Sequence, residues 1–158
     1  MKMRIHLMVL AVFTCALVSC SKESGETLNS VERQNVREVE KELLSLVNDH
    51  RVSLGKNALQ FNATAYDQAN VHTDYMIGKG AINHDNFTIR ASAISKEVDA
   101  QFVAENVAKD YSTASGAFVG WLSSANHKHT MEDDFTHTAI SVKKDENGTA
   151  YFTQIFYR

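Results

Sequence analysis

From Val36 onward the apolar positions recur at helical spacing: Val36, Val39, Leu43, Leu46, Val47 and Leu54 fall along one stripe, and Gly55 offers a stop. With Asn29 as a cap and Glu32 three residues on, the pattern predicts a helix from about residue 30 to about residue 53. Leu59 and Phe61 lead into a second helix capped by Asn62, with Ala65, Ala69, His72 and Met76 as its stripe and Gly78 and Gly80 at its end. Alanines on that stripe predict close packing against another element. Residues 81–110 carry weaker signals. Asn86 to Ile94 reads as a short helix, and Phe102 to Ala108 is apolar but interrupted by Glu105-Asn106. Ser112 to Ser124 reads as a helix with Ala117, Phe118 and Trp121 inward. The tail changes period. Thr138 to Lys143 and Tyr151 to Tyr157 alternate, and Asn147-Gly148 between them favours the positive φ of a tight turn, so the chain is expected to end in a β-hairpin.

The first residues follow another pattern. Lys2 and Arg4 precede an apolar run from Ile5 to Val18 that is too short to span a bilayer comfortably. Leu17-Val18-Ser19-Cys20 and a polar stretch follow. A positive end, an apolar stretch and small residues before a cut make a secretory signal. The Cys at the cut resembles the bacterial lipobox, in which Cys20 becomes the lipidated N-terminus. A multiply acylated Cys anchors a soluble domain where one chain binds weakly. The expected organisation is residues 1–19 as signal, 20–29 as lipidated Cys and tether, and 30–158 as one folded domain. Ser21 after Cys20 gives no inner-membrane retention signal, so the outer membrane is the expected site.

Composition narrows the function classes. Without Lys2 and Arg4 the mature chain carries 14 basic against 19 acidic residues. It has no basic cluster beyond Lys143-Lys144, which argues against nucleic acid as a partner, since that affinity rests on phosphate neutralisation. The other cysteine, Cys15, lies within the signal. The mature domain therefore has no disulfide, thiolate metal site or Cys nucleophile.

Six histidines remain: His50, His72, His84, His127, His129 and His137. His127-Lys128-His129 with His137 resembles a metal-ligand run, with Glu105 or His84 as further ligands, and imidazoles suit Zn²⁺, Cu²⁺ or Ni²⁺. The spacing matches no strong signature, and on spacing alone solvated or core histidines explain it better than a site; His50 and His72 lie on apolar stripes and read as core. Ser124 near His127 invites a hydrolase reading, but no G-x-S-x-G is present and a cap near a helix end fits it better. Trp121 reads as core beside Phe118. Glu132-Asp133-Asp134 reads as a solvated acidic turn, with cation binding as the alternative.

Taken in order, several segments resemble one family: Asn48-Asp-His-Arg51, then Ala69, His72 and Met76, then Asn83-His84-Asp-Asn-Phe87, Ala104-Glu105-Asn106-Val107-Ala108, Gly120-Trp121-Leu-Ser-Ser124-Ala-Asn-His127 and Tyr151-Phe-Thr-Gln154-Ile-Phe156. Together they are similar to the CAP superfamily (cysteine-rich secretory, antigen 5 and pathogenesis-related proteins), in its cysteine-free bacterial secreted branch. The resemblance implies an α+β fold, a three-layer α-β-α sandwich with a central antiparallel sheet. It also implies a cavity lined in eukaryotic members by two His and two acidic residues, sometimes around a divalent metal. His84 matches the first His and Glu105 the first Glu. Ser124 stands at the second acidic position and Tyr151 at the second His, three residues before Gln154. Bacterial members carry a His after the Trp helix, matched here by His127, although Asn126 and Thr130 depart from its usual context.

On that resemblance the cavity-lining set is His84, Glu105, His127, Ser124 and Tyr151, and a bound Zn²⁺ would be held by His84, His127 and Glu105. The expected function is a lipid-anchored binding module of the bacterial cell envelope, taking a small apolar ligand, a glycan or an envelope protein. The alternatives are a metal-assisted hydrolase of envelope polymer or peptide, and a purely structural scaffold.

Overall fold

The computed structural model describes residues 33–158. The predicted signal, Cys20, the tether and the Asn29 cap lie outside them. Among the described residues the order is α1 (Arg37–Ser53), β1 (Gln60–Phe61), α2 (Ala63–Lys79), α3 (Phe87–Val98), β2 (Val103–Lys109), α4 (Ala114–Ser123), α5 (Ala125–Glu132), β3 (His137–Lys144) and β4 (Ala150–Tyr157).

The strands form one sheet in the order β1-β3-β4-β2. The predicted hairpin pairs His137 with Tyr157 through to Lys144 with Ala150. Its turn is wider than a two-residue Asn-Gly loop. The Asp145 carboxylate accepts the N–H of Asn147 (2.9 Å) and Thr149 (2.8 Å), and within the turn it is Gly148 that takes positive φ, at 82°. The interrupted stretch 102–108 is β2, antiparallel to β4 with Glu105 opposite Ile155. The sheet is mixed rather than wholly antiparallel, because the two-residue β1 runs parallel to β3.

Side chains of each strand alternate between two helical layers. Even-numbered residues Ala108, Ile140, Val142, Phe152 and Phe156 pack with Leu43 and Val47 of α1, Ala117 and Trp121 of α4, and Met131 of α5. Odd-numbered Ala139, Ile155 and Tyr157 pack with Ala65, Tyr66 and Ala69 of α2 and Ile94 of α3. This is the three-layer α-β-α sandwich. Each large side chain buried there, such as Phe152 at 0 % exposure, contributes about 1.5–3 kcal/mol. The Asn48 and Arg51 of the sequence pattern are braces. The Asn48 amide bonds both main-chain groups of Leu59. The buried Arg51 guanidinium donates to the carbonyls of Asn57, Met131, Asp133 and Phe135.

Two features differ from the sequence reading and one matches it. The first helix starts at Arg37, because the chain before it is spent on the sheet: the Val36 N–H donates to the Val142 carbonyl (2.8 Å) and Asn35 bridges to Lys143. The second helix matches its prediction, with Asn62 accepting from the Ala65 N–H and Gly80 closing it at a φ of 68°. After α4 comes a separate α5, which periodicity missed because Met131 is its only buried residue.

Candidate functional site

One charged cluster sits where α2, the 80–86 loop, α3 and β2 meet. Glu105 points to the α2/α3 side of the sheet, and its side chain is only 1 % exposed. Arg90, one turn before the buried Ile94 on α3, meets it with two bonds, Nε to Oε2 at 3.0 Å and Nη2 to Oε1 at 2.8 Å. Arg90 Nη1 also donates to the Asp85 carbonyl (2.6 Å), which ties the loop to the helix.

Two imidazoles complete the shell. His84 Nδ1 lies 2.8 Å from Glu105 Oε1. An ionised carboxylate only accepts, so Nδ1 carries the proton, and in the neutral imidazole Nε2 is left with its lone pair. His84 is half exposed, at 52 % for its side chain. His72 is fully buried. Its Nε2 donates to the Asn83 carbonyl (2.7 Å) and lies 3.5 Å from Glu105 Oε1, while its Nδ1 has no partner among the described residues.

The electrostatics follow from this packing. Burial pushes the Glu105 carboxyl up, but hydrogen bonds from His84 and Arg90 and the nearby charges of His72 and Arg90 outweigh it and hold the group below its ordinary value. Burial pulls His72 down, opposed by Glu105. Burial pulls His127 down as well, with the charge of His84 adding to it.

The sequence-predicted residues divide. His84 and Glu105 are in direct contact, beside a cavity of about 310 Å³ lined with Phe87, Val103 and Ala104. His127 reaches the same end of the sheet from α5, where its carbonyl accepts from the Asn106 amide (3.0 Å). Tyr151 is not brought to this group. It is buried with Met76, Ile77 and Val107, and its register partner on β2 is Lys109, four positions from Glu105. Ser124 joins α4 to α5, but its side chain makes no capping bond. Glu132 pairs with His50 at 2.8 Å, and Asp134 with Arg158 at 3.2 Å.

The donor set bears on the implied metal. Both Glu105 oxygens are engaged by Arg90, and one also by His84. Glu105 thus orients an imidazole instead of offering a ligand, and His84 with His127 make two ligands where zinc sites use three or four. Among the described residues no group of three His, Cys, Asp or Glu is arranged to hold an ion. The residues do not fit the three-ligand set expected of His84, His127 and Glu105.

Arg90 and His72 escaped the sequence reading as site residues. The signal for Arg90 was present: a charge sits four residues before Ile94 on a buried stripe, a placement that requires a partner. His72 is core, as expected, and also touches Glu105. A larger cavity, about 780 Å³, lies elsewhere, between α2 and the 33–37 segment, with Lys143 and Asp74 in its wall. It has no contact with the histidine cluster, and the chemistry of the charged group weighs more than cavity size.

Residues 44–156 match the model of the CAP, cysteine-rich secretory protein family. A membrane protein of Bacillus subtilis is 28 % identical over 123 residues, which cover 75 % of this chain and 34 % of that protein. This chain thus spans about a third of that relative's length. An outer surface protein of Borrelia burgdorferi superposes with a TM-score of 0.71 at 21 % identity, over 80 % of this chain and 98 % of that one. An extracellular protein containing a SCP domain from Bacillus anthracis gives 0.68 at 24 % identity, over 77 % and 41 %. These likenesses establish the fold.

Proposed function

The chain belongs to the CAP, cysteine-rich secretory protein family, and from that premise we propose that it is a lipid-anchored protein of the bacterial cell envelope that binds a ligand at the His84–Glu105 end of its sheet. The anchor rests on Cys20 within Leu17-Val18-Ser19-Cys20 and on envelope relatives, one an outer surface protein, one extracellular and one a membrane protein. Cys20→Ser releases the protein from the membrane fraction and abolishes its labelling by radioactive palmitate; retention of both overturns the anchor.

The observation that carries the binding reading is the shell of Glu105. Arg90 and His72 flank the carboxylate from inside, and its bond to His84 Nδ1 orients that ring in the wall of the cavity and leaves Nε2 as the ring's other polar atom. This arrangement suits a polar group on a ligand whose apolar part rests on Phe87 and Val103. Native mass spectrometry of protein extracted from envelopes is expected to show a bound species that His84→Ala and Phe87→Ala lose. Metal-dependent turnover of envelope polymer or peptide, abolished by His84→Ala, would instead establish the hydrolase reading, which draws on the same imidazole.

A further inference from the structure

Among the described residues β2 is the end strand of the sheet, with one edge paired to β4 and the other without a neighbouring strand. The hydrogen-bonded pairs are fixed at both ends: Phe102 exchanges bonds with Arg158, and the Asp110 N–H donates to the Ala150 carbonyl. In an antiparallel ladder such pairs recur every second residue, so Ala104, Asn106 and Ala108 bond to β4. Val103, Glu105 and Val107 then turn their N–H and C=O groups outward. The Val107 carbonyl accepts the Trp121 indole N–H (3.2 Å), which confirms that direction, and Val107 is buried. For Val103 and Glu105 no outward main-chain partner exists among the described residues. Glu105 is half-buried as a residue although its side chain is 1 % exposed, so its exposed surface is main chain.

The geometry points to an extended peptide as the ligand, pairing as a fifth strand with Val103 and Glu105 on the outer edge of β2. The inference rests on the binding reading above and names its ligand class. The window offers two N–H and two C=O groups at alternate positions, the pattern an extended main chain complements. Peptide residues opposite Val103 and Glu105 would set their side chains on the α2/α3 side, into the cavity of about 310 Å³ beside Phe87 and His84. The residue opposite Ala104 would face the α5 side, which carries His127. Apolar side chains suit the first two positions, since Phe87, Val103 and Ala104 line that cavity.

The devices that usually blunt an edge are missing here. Between Val103 and Glu105 there is no proline and no outward lysine, the register with β4 runs without a bulge, and the inward Glu105 is neutralised by Arg90. The opposite edge differs: β3 is covered by β1 at one end and bridged by Asn35 at the other. A window of three residues is too small for a folded partner that needs a standard interface, and it suits a single strand.

The test is amide NMR of the full chain in detergent micelles, titrated with a capped Thr-Val-Thr-Val-Thr peptide. The amides of Val103 and Glu105 are expected to move downfield and gain protection from exchange, while those of Ala104 and Asn106, already paired to β4, are not. N-methylation of both valines should weaken binding by at least about tenfold, since two main-chain bonds are lost, whereas methylation of the central threonine should not. Unmoved Val103 and Glu105 amides at saturating peptide, or equal binding of the doubly methylated peptide, overturns the inference. So does concentration-dependent protection of those two amides without peptide, which would make a second copy the occupant. In each case a bound species lost in His84→Ala would still leave the binding reading standing.

Discussion

Arg90 and Glu105 form a two-pronged ion pair across the α3–β2 junction, with side chains only 6 % and 1 % exposed. The fork satisfies both carboxylate oxygens, and its third nitrogen holds the loop that carries His84. Removing one partner leaves a buried charge uncompensated. Arg90→Ala is therefore expected to destabilise the fold by about 3–5 kcal/mol in urea unfolding. Arg90→Lys should recover only part of this, because an ammonium cannot make the planar double contact. Full rescue by lysine would show that charge alone matters.

The parts of this fold legible in the sequence are those with strong local signals. The Asn62 cap and Gly80 stop of α2 and the alternation of β3 and β4 specify their elements without tertiary help. β2 was obscured because its inward face mixes Val103 and Val107 with Glu105, a charge that makes sense only once Arg90 is opposite it. α5 was obscured because it contributes one buried side chain and is held by neighbours. Likewise, the start of α1 depends on Val36 and Asn35 pairing with β3, a contact more than a hundred residues away. At the site, His84 and Glu105 were legible through the family pattern. Their supports were not, since Arg90 and His72 act on Glu105 and not on the cavity.

Acid should loosen this end of the molecule in two stages. His72 and His127 have folded pKa values below the ordinary 6.5, so the unfolded chain takes up protons first. Their stabilising effect is complete above pH 6.5 and is lost as pH falls toward the lowered folded values. Glu105, also lowered, adds a second loss below its ordinary 4.5. The melting temperature is expected to decline as pH falls below about 6.5, and the decline should be shallower in His72→Gln. An unchanged slope in that variant would mean that His72 does not carry the effect.

Gly120 of α4 is tied to Tyr111. A Cβ at position 120 would collide with the Tyr111 hydroxyl and lie 2.5 Å from the ring's Cζ. Gly120→Ala gains about 1 kcal/mol of helix propensity but forces the ring aside, an overpacking cost of about 1–3 kcal/mol. A net loss of about 1 kcal/mol is expected, the difference of those two effects. The ring also packs edge-on against Phe152, which limits where it can go. In a Tyr111→Ala background the same change should become neutral or stabilising, and additivity of the two substitutions would refute the contact.

Metal affinity separates the two readings of the histidines. With both Glu105 oxygens engaged by Arg90 and the unpartnered His72 Nδ1 buried, His84 Nε2 and the His127 ring are the accessible donors left to meet an ion. To use Glu105 as a ligand, Zn²⁺ would have to strip a buried guanidinium of its partner, at the same several-kcal/mol penalty as deleting Arg90. Calorimetric titration of the full chain with Zn²⁺ is therefore expected to show no tight one-to-one site. Arg90→Gln, if it folds, should bind Zn²⁺ more strongly than the natural sequence, because it frees one carboxylate oxygen and supplies the third ligand. A tight stoichiometric site in the natural chain, lost in the His84→Ala/His127→Ala double variant, would reverse this argument and place both imidazoles around an ion.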